Sequence, residues 1–123
     1  MAESRIFDRL RADHDRHREL LDRIDETQGD SDDRRYLFEA FRVEVTAHAA
    51  SEEMSLYATM LGKPDLRDEA QHSVAEHKEI EDLLTELYEM DFSSTGWLTR
   101  FRTMKDRYLH HIDEEEEEMF PEA

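Results

Sequence analysis

The chain has 123 residues, no cysteine and a formal net charge of −17 at pH 7. This length suits one domain, the lack of cysteine excludes disulfides and thiolate metal sites, and the charge disfavours nucleic acids and anionic membranes. No apolar stretch is long enough to cross a bilayer, so we expect a single cytoplasmic domain over residues 1–123. The acidic composition, with lysine only at positions 63, 78 and 105, is typical of a protein from a halophile.

Apolar and histidine residues recur at spacings of three and four in four segments, as on one face of a helix. In chain order, these segments cover about residues 4–27, 32–61, 65–90 and 95–120. Gly29 lies in the first gap, and Gly62 and Pro64 lie in the second, where they can end a helix. Short connections favour antiparallel neighbours, so the sequence predicts an all-α, up-down-up-down antiparallel four-helix bundle with an interior metal site.

Each segment has one face that we expect to point inward, and each of these faces carries a histidine. In the first segment, His14 and His17 interrupt the apolar face. The predicted inward face of the second segment consists of Leu37, Phe41, Val45, His48, Glu52, Ser55 and Thr59.

One motif occurs in both the second and the fourth segment. His48 is followed four residues later by Glu52, and His111 is followed four residues later by Glu115. A second glutamate comes next in each copy, and an aliphatic and aromatic pair follows it. Residues four apart project from the same helical face, so each copy directs one imidazole and one carboxylate to the same point.

Histidines on the other two segments lie at a similar level. His14 and His77 are about as far from their helix starts as His48 and His111 are from their helix ends, within one or two turns. Burying several unpaired polar groups costs kilocalories for each group, and a bound cation removes that cost. The sequence therefore predicts an interior metal site, with imidazole and carboxylate ligands that suit Fe, Mn or Zn. The candidate ligands are His14, His48, Glu52, His77, His111 and Glu115.

The pattern resembles the hemerythrin-like family, also called HHE cation-binding proteins. The resemblance rests on Asp13-His14, His48 with Glu52-Glu53, Glu76-His77, and His111 with Glu115-Glu116 before Met119-Phe120-Pro121. It implies a four-helix bundle with two non-haem iron ions joined by an oxo or hydroxo bridge, for which Mn or Zn are possible substitutes. It also implies that His14 and His48 bind one iron, His77 and His111 the other, and that Glu52 and Glu115 bridge them.

The third segment departs from the oxygen-carrying hemerythrins. Those proteins place two histidines four residues apart there, whereas Ser73 stands four residues before His77 in this chain. His72 is one position further back, about 100° from the ideal face. We expect His72 to face solvent or to touch a ligand residue, with metal ligation as the alternative.

Two further residues have alternative roles. The oxygen carriers have an aspartate five residues after the histidine of the fourth helix, and Glu116 occupies that place here. Glu115 is the preferred bridge because it mirrors Glu52, and Glu116 is the alternative. His17 lies one turn after His14, and we expect it to form a hydrogen bond beside the centre, with ligation as the alternative.

The resemblance implies a protein that binds O2 or a related small ligand at an open iron position, for oxygen binding or sensing. No nucleophile, general acid or substrate pocket can be identified in the sequence, which weighs against a dedicated enzyme. One alternative is redox removal of peroxide or nitric oxide at the same centre. Another is a regulatory module that reports iron or oxygen to a protein partner, which the sequence does not identify. A ferritin-like oxidase is disfavoured because only Glu69 to His72 fits the Glu-x-x-His spacing that two helices would need.

Overall fold

The computed structural model describes residues 2–119, and this part of the chain is helical without any strand. Within it, none of the helices combines the length and apolarity that crossing a bilayer requires. Phe120, the last residue of the fourth predicted segment, and Pro121 after it lie outside the described residues. The elements are α1 (Ala2–Asp25), α2 (Asp32–Glu52), π1 (Glu53–Tyr57), α3 (Ala58–Leu61), α4 (Arg67–Glu89), α5 (Thr95–Glu114) and π2 (Glu115–Met119), where π1 and π2 are π-helical turns.

Serine side chains begin two of the four long helices. Ser31 accepts a hydrogen bond from the backbone N–H of Arg34 (3.0 Å) at the start of α2. Ser94 accepts one from the backbone N–H of Gly96 (3.1 Å) at the start of α5. These bonds satisfy backbone donors that have no partner inside the helix. Gly29, in the connection before α2, has a φ of 63°, which is a left-handed conformation that favours glycine.

The buried apolar residues form two clusters with a polar layer between them. The larger cluster includes Leu20 and Phe41, and the smaller one includes Leu10 and Tyr57. On α1, His14 and His17 lie between Leu10 of the smaller cluster and Leu20 of the larger one, and on α4 His77 lies between Ala70 of the smaller cluster and Ile80 of the larger one. The bundle therefore buries one band of imidazoles and carboxylates between apolar walls.

The predicted inward face of the second segment is wrong beyond Glu52. Ser55 and Thr59 are exposed, whereas Tyr57 and Met60 are each only 1% exposed. Hydrogen bonds in a π-helix join residues five apart, so π1 adds one residue to the turn and rotates the following residues by one position. Tyr57, five residues after Glu52, takes the inward place as a result.

Arg34 is a buried cation that joins the connections between helices. Its guanidinium donates hydrogen bonds to the hydroxyl (2.9 Å) and carbonyl (2.9 Å) of Thr27 and to the carbonyl of Phe92 (2.7 Å). It also lies 4.6 Å from the ring centre of Trp97. Arg34 thereby holds the end of α1, the start of α2 and the α4–α5 connection together.

Replacing Arg34 by Met should lower the free energy of unfolding by about 2–4 kcal/mol, because buried oxygen acceptors lose a charged donor. Urea denaturation followed by circular dichroism measures this change. Arg35→Met is the matched control, because Arg35 is exposed and pairs with Asp30 at the surface. We expect that variant to keep nearly the full stability, and equal losses in both variants would contradict the role of Arg34.

Candidate metal centre

The structure brings all six predicted ligands together in the polar layer. Five are at most 5% exposed, and the side chain of His77 is 10% exposed. They come from α1, α2, α4, α5 and the first residue of π2. The six residues are His14, His48, Glu52, His77, His111 and Glu115.

Glu52 lies between histidines of two helices. Its Oε1 atom is 3.0 Å from Nε2 of His48, one turn earlier on α2, and 3.3 Å from Nε2 of His77 on α4. The i, i+4 spacing of His48 and Glu52 therefore places imidazole and carboxylate side by side, as predicted.

Glu115 repeats this arrangement from the other side of the layer. Its Oε1 atom is 2.8 Å from Nε2 of His111 and 3.8 Å from Nε2 of His14. Its other oxygen, Oε2, accepts a hydrogen bond from the hydroxyl of Tyr57 (2.8 Å). Tyr57 thus occupies one carboxylate oxygen and leaves Oε1 directed at the imidazoles.

Each of the four histidines also contacts a second carboxylate through its other ring nitrogen, Nδ1. These carboxylates lie at the edge of the layer, with side chains 20–46% exposed. The pairs are Glu116 with His14 (2.7 Å), Asp13 with His48 (2.9 Å), Glu76 with His111 (2.9 Å) and Glu53 with His77 (3.4 Å).

These outer carboxylates determine which ring nitrogen is free. When Nδ1 of a neutral imidazole donates a hydrogen bond to a carboxylate, Nε2 carries a lone pair. The Nε2 atoms of His14 and His48 are only 3.1 Å apart, so both imidazoles direct this nitrogen to the centre of the layer. Histidines that bind metals show the same arrangement, with a carboxylate on the outer nitrogen and the metal on the inner one.

Several inward-facing atoms have no hydrogen-bond partner. Both oxygens of Glu52, Oε1 of Glu115 and Nε2 of His111 are shielded from solvent and unsatisfied. Three of these atoms lie 2.8–3.3 Å from imidazole nitrogens or carboxylate oxygens of the layer, so a proton or a cation must lie between the members of each close pair. Six ligands about 2.1 Å from an ion place adjacent donor atoms about 3.0 Å apart. The separations of 2.8–3.3 Å around Glu52 and Glu115 fit such a shell, so these residues suit a metal of the size of iron.

The two central carboxylates perturb each other. Burial and the neighbouring Glu52 raise the pKa of Glu115. Burial opposes ionisation of Glu52 too, but its contacts with Glu115 and His48 hold its pKa well below the usual value. Two adjacent buried carboxylates cannot both carry a charge unless a cation is present, so a proton takes that place when metal is absent.

The pKa values of two of the histidines are also shifted in opposite directions. Burial lowers the pKa of His111, but the carboxylates of Glu115 and Glu76 beside its two ring nitrogens outweigh burial and raise the pKa to about 10. Burial, followed by the proximity of His48, lowers the pKa of His14 to about 3. One imidazole of the layer is therefore protonated at neutral pH while another is neutral, and a metal must displace the proton of the first.

His17 takes the position beside the centre that the sequence predicts. It is 2% exposed, its Nδ1 atom lies 2.6 Å from the hydroxyl of Tyr108, and its ring centre is 5.3 Å from that of His48. Within the described residues, its nitrogens belong to none of the groups whose donor atoms converge within 4.8 Å. His17 therefore has the geometry of a hydrogen-bonding neighbour of the ligands.

His72 and Glu116 lie outside the central layer. The side chain of His72 is 59% exposed and faces Glu76 and Glu114 rather than the inner carboxylates. Glu116 contacts Nδ1 of His14 from the outside, which favours Glu115 over Glu116 as a bridge.

Of the four outer carboxylates, the sequence assigns a role only to Glu116, as the alternative bridge, and it assigns none to the tyrosine hydroxyls. A signal was present, because each outer carboxylate stands directly beside a predicted ligand in the chain and so about 100° around the helix from it. Tyr108 lies three residues before His111 and so on the same helical face, but helical spacing alone does not distinguish it from an apolar core residue. Tyr57 was hidden by the π-helical turn, which helical periodicity does not reveal.

Comparison with protein families agrees with this geometry. The model of the hemerythrin HHE cation binding domain matches residues 5–123 and so includes every residue of the buried layer. Comparisons with curated proteins and with solved structures gave no significant match. On the strength of a match over nearly its whole length, the chain belongs to the hemerythrin HHE cation-binding domain family.

Proposed function

We propose that the protein holds two iron ions in the buried layer and binds O2, or a related small ligand such as nitric oxide, for oxygen binding or sensing. The observation that supports this proposal most is the convergence of buried imidazoles and carboxylates, in which Oε1 of Glu52 lies 3.0 and 3.3 Å from two Nε2 atoms and Oε1 of Glu115 lies 2.8 Å from a third. In this proposal His14 and His48 bind one ion, His77 and His111 bind the other, and Glu52 and Glu115 bridge them.

Side chains around the layer orient the predicted ligands and limit the access of water to them. A di-iron pair supplies electrons that O2 or peroxide can accept. The outer carboxylates orient the imidazoles, and the hydrogen bond from Tyr57 orients Glu115. The apolar clusters on both sides limit the access of water, which strengthens the attraction between carboxylates and cations.

A cavity of about 340 Å³ between α2 and α4 supports access by a small apolar ligand. Its wall exposes more apolar than polar surface, although the charged side chains of Glu53, Lys78 and Glu81 also line it. Oxygen is apolar and small, so it can enter such a cavity. The lining includes Val45, Ala49, Ile80 and Leu84, with His48 and His77 at the inner end.

We also infer that neighbouring helices run in opposite directions, as in an up-down-up-down bundle. Two contacts between a pair of helices show this direction: from one contact to the next, the residue numbers rise along one helix and fall along the other. The contacts are Asp13–His48 and Arg16–Glu44 between α1 and α2, and Glu76–His111 and Glu86–Arg100 between α4 and α5.

A second function, redox removal of peroxide, is favoured by the His17–Tyr108 pair. The hydroxyl of Tyr108 is buried and lies 2.6 Å from Nδ1 of His17, next to the layer. Burial raises the pKa of Tyr108, so the phenol stays protonated and can donate its proton to the imidazole only as it gives up an electron. Oxygen binding alone does not need such a donor.

Purified protein should contain two iron ions per chain and show the absorption bands of an oxo-bridged di-ferric centre in air. His48→Ala and His111→Ala should each abolish stoichiometric iron, because each removes a central Nε2 donor. His110→Ala is the control, because the side chain of His110 is 76% exposed. Elemental analysis measures the iron content of each variant. Two iron ions per chain in His48→Ala or in His111→Ala would refute the ligand assignment.

Metal binding at pH 7 should release protons, and metal affinity should fall as the pH falls. In the metal-free chain, His111 has a pKa of about 10 and Glu115 a raised pKa, so both tend to hold protons that the ion must displace. Calorimetry in two buffers of different ionisation enthalpy counts the released protons. Identical heats in the two buffers would contradict this charge pattern.

Replacing Tyr108 by Phe distinguishes the two functions. Iron content should persist, because the hydroxyl contacts His17 rather than a predicted ligand. If the protein removes peroxide, iron-dependent peroxide loss should slow at least about tenfold. If it only binds oxygen, that rate should be low already in the natural protein and should not change.

His17→Ala and Tyr88→Phe complete this experiment. His17→Ala should keep both irons and behave like Tyr108→Phe in the peroxide assay. Loss of one iron from this variant would instead identify His17 as a ligand. Tyr88 is 58% exposed, so Tyr88→Phe is the control that should match the natural protein throughout.

A further inference from the structure

A second group of metal-binding side chains lies on the surface between α4 and α5. Nε2 of His72 is 3.5 Å from Oε1 of Glu76 and 3.6 Å from Oε1 of Glu114. One donor atom from each of these three residues lies within 4.8 Å of the other two. We call this group the outer site.

The spacing of the outer site suits a divalent cation. Ligands about 2.1 Å from a tetrahedral ion lie about 3.4 Å apart, which is close to the separations observed. The three side chains are between 20% and 59% exposed, so water can complete the shell. The second oxygen of Glu114 is shielded from solvent and accepts no hydrogen bond.

We propose that His72, Glu76 and Glu114 bind a divalent cation, and that iron passes through this outer site into the buried layer. The passage rests on the proposed function, whereas binding of a cation at the outer site does not. No residue of the outer site belongs to the six predicted ligands of the layer.

A cavity of about 210 Å³ connects the two sites. The outer residues His72 and Glu114 line it together with His111 and Glu115 of the layer. Oε1 of Glu115 and Nε2 of His111 belong to side chains that are 1–2% exposed, and both atoms lack a hydrogen-bond partner. A buried carboxylate and imidazole without hydrogen-bond partners at the inner end of a cavity give an entering cation, once it displaces the bound proton, a more favourable destination than the surface.

Charge and connectivity agree with passage in this direction. Asp68 and Glu69 also line the cavity, so its wall concentrates cations from solution. Oε1 of Glu76 belongs to both sites, since it is 3.5 Å from Nε2 of His72 and 2.9 Å from Nδ1 of His111. A cation held by Glu76 is therefore one imidazole away from the layer.

Binding at the outer site can be tested with Mn²⁺, whose electron paramagnetic resonance signal falls on binding. Protein loaded with iron should bind one further Mn²⁺ per chain, and His72→Ala or Glu114→Gln should weaken this binding at least about tenfold. Glu117→Gln is the matched control, because it removes the same charge from an exposed neighbour. If the natural protein binds no further Mn²⁺, or if all three variants bind it equally, the outer site is refuted.

Passage is tested by the rate of iron uptake. Fe²⁺ added without oxygen should fill the layer at least about tenfold more slowly in His72→Ala than in Glu117→Gln, with the same final iron content. Equal rates would refute passage through the outer site. A natural protein that takes up no iron would refute the proposed function instead, while the Mn²⁺ titration of a His48→Ala protein would still decide whether the outer site exists.

Discussion

The buried carboxylates of Glu52 and Glu115 impose the constraint on which the rest of the structure depends. Each is at most 1% exposed, and the Oε1 atom of each faces imidazole nitrogens 2.8–3.8 Å away. Apolar clusters above and below prevent water from solvating them. Such an arrangement is stable only if positive charge enters it, either as protons or as metal. In the metal-free chain protons supply this positive charge, and the raised pKa values of His111 and Glu115 reflect it.

The residues around Glu52 and Glu115 determine how the imidazoles and carboxylates of the layer are oriented. Four outer carboxylates bind the Nδ1 atoms and so direct the Nε2 atoms inward. The π-helical turns begin next to Glu52 and at Glu115, where they interrupt the regular helix at the metal layer itself. One consequence is the inward position of Tyr57, whose hydroxyl orients Glu115. π-Helical turns often occur at functional sites for this reason, since they reposition a side chain without breaking the helix.

Helical periodicity and the His-x-x-x-Glu spacing were sufficient to predict an all-helical fold with the six candidate ligands on its interior. The spacing works because His48 and Glu52 are joined by ordinary α-helical geometry. The exposure of Ser55 and the burial of Arg34 were not predictable, since the first depends on a π turn and the second on carbonyls contributed by distant loops. The halophilic origin indicated by the acidic, lysine-poor composition stays a prediction.

The two halves of the chain repeat with one constant spacing of 63 residues, which relates His48 to His111 and Glu52 to Glu115. The same spacing relates His17 to Ile80 and Val45 to Tyr108. The hydrogen-bonded His17–Tyr108 pair therefore corresponds in sequence to the aliphatic residues Val45 and Ile80, and the 340 Å³ cavity is lined by these two residues and by Tyr108. The six candidate ligands thus repeat with nearly twofold symmetry, whereas the residues beside them do not. A ligand bound among them would meet a phenol and an imidazole at one pair of positions and two aliphatic side chains at the equivalent pair, so the two orientations of an asymmetric ligand would differ in free energy.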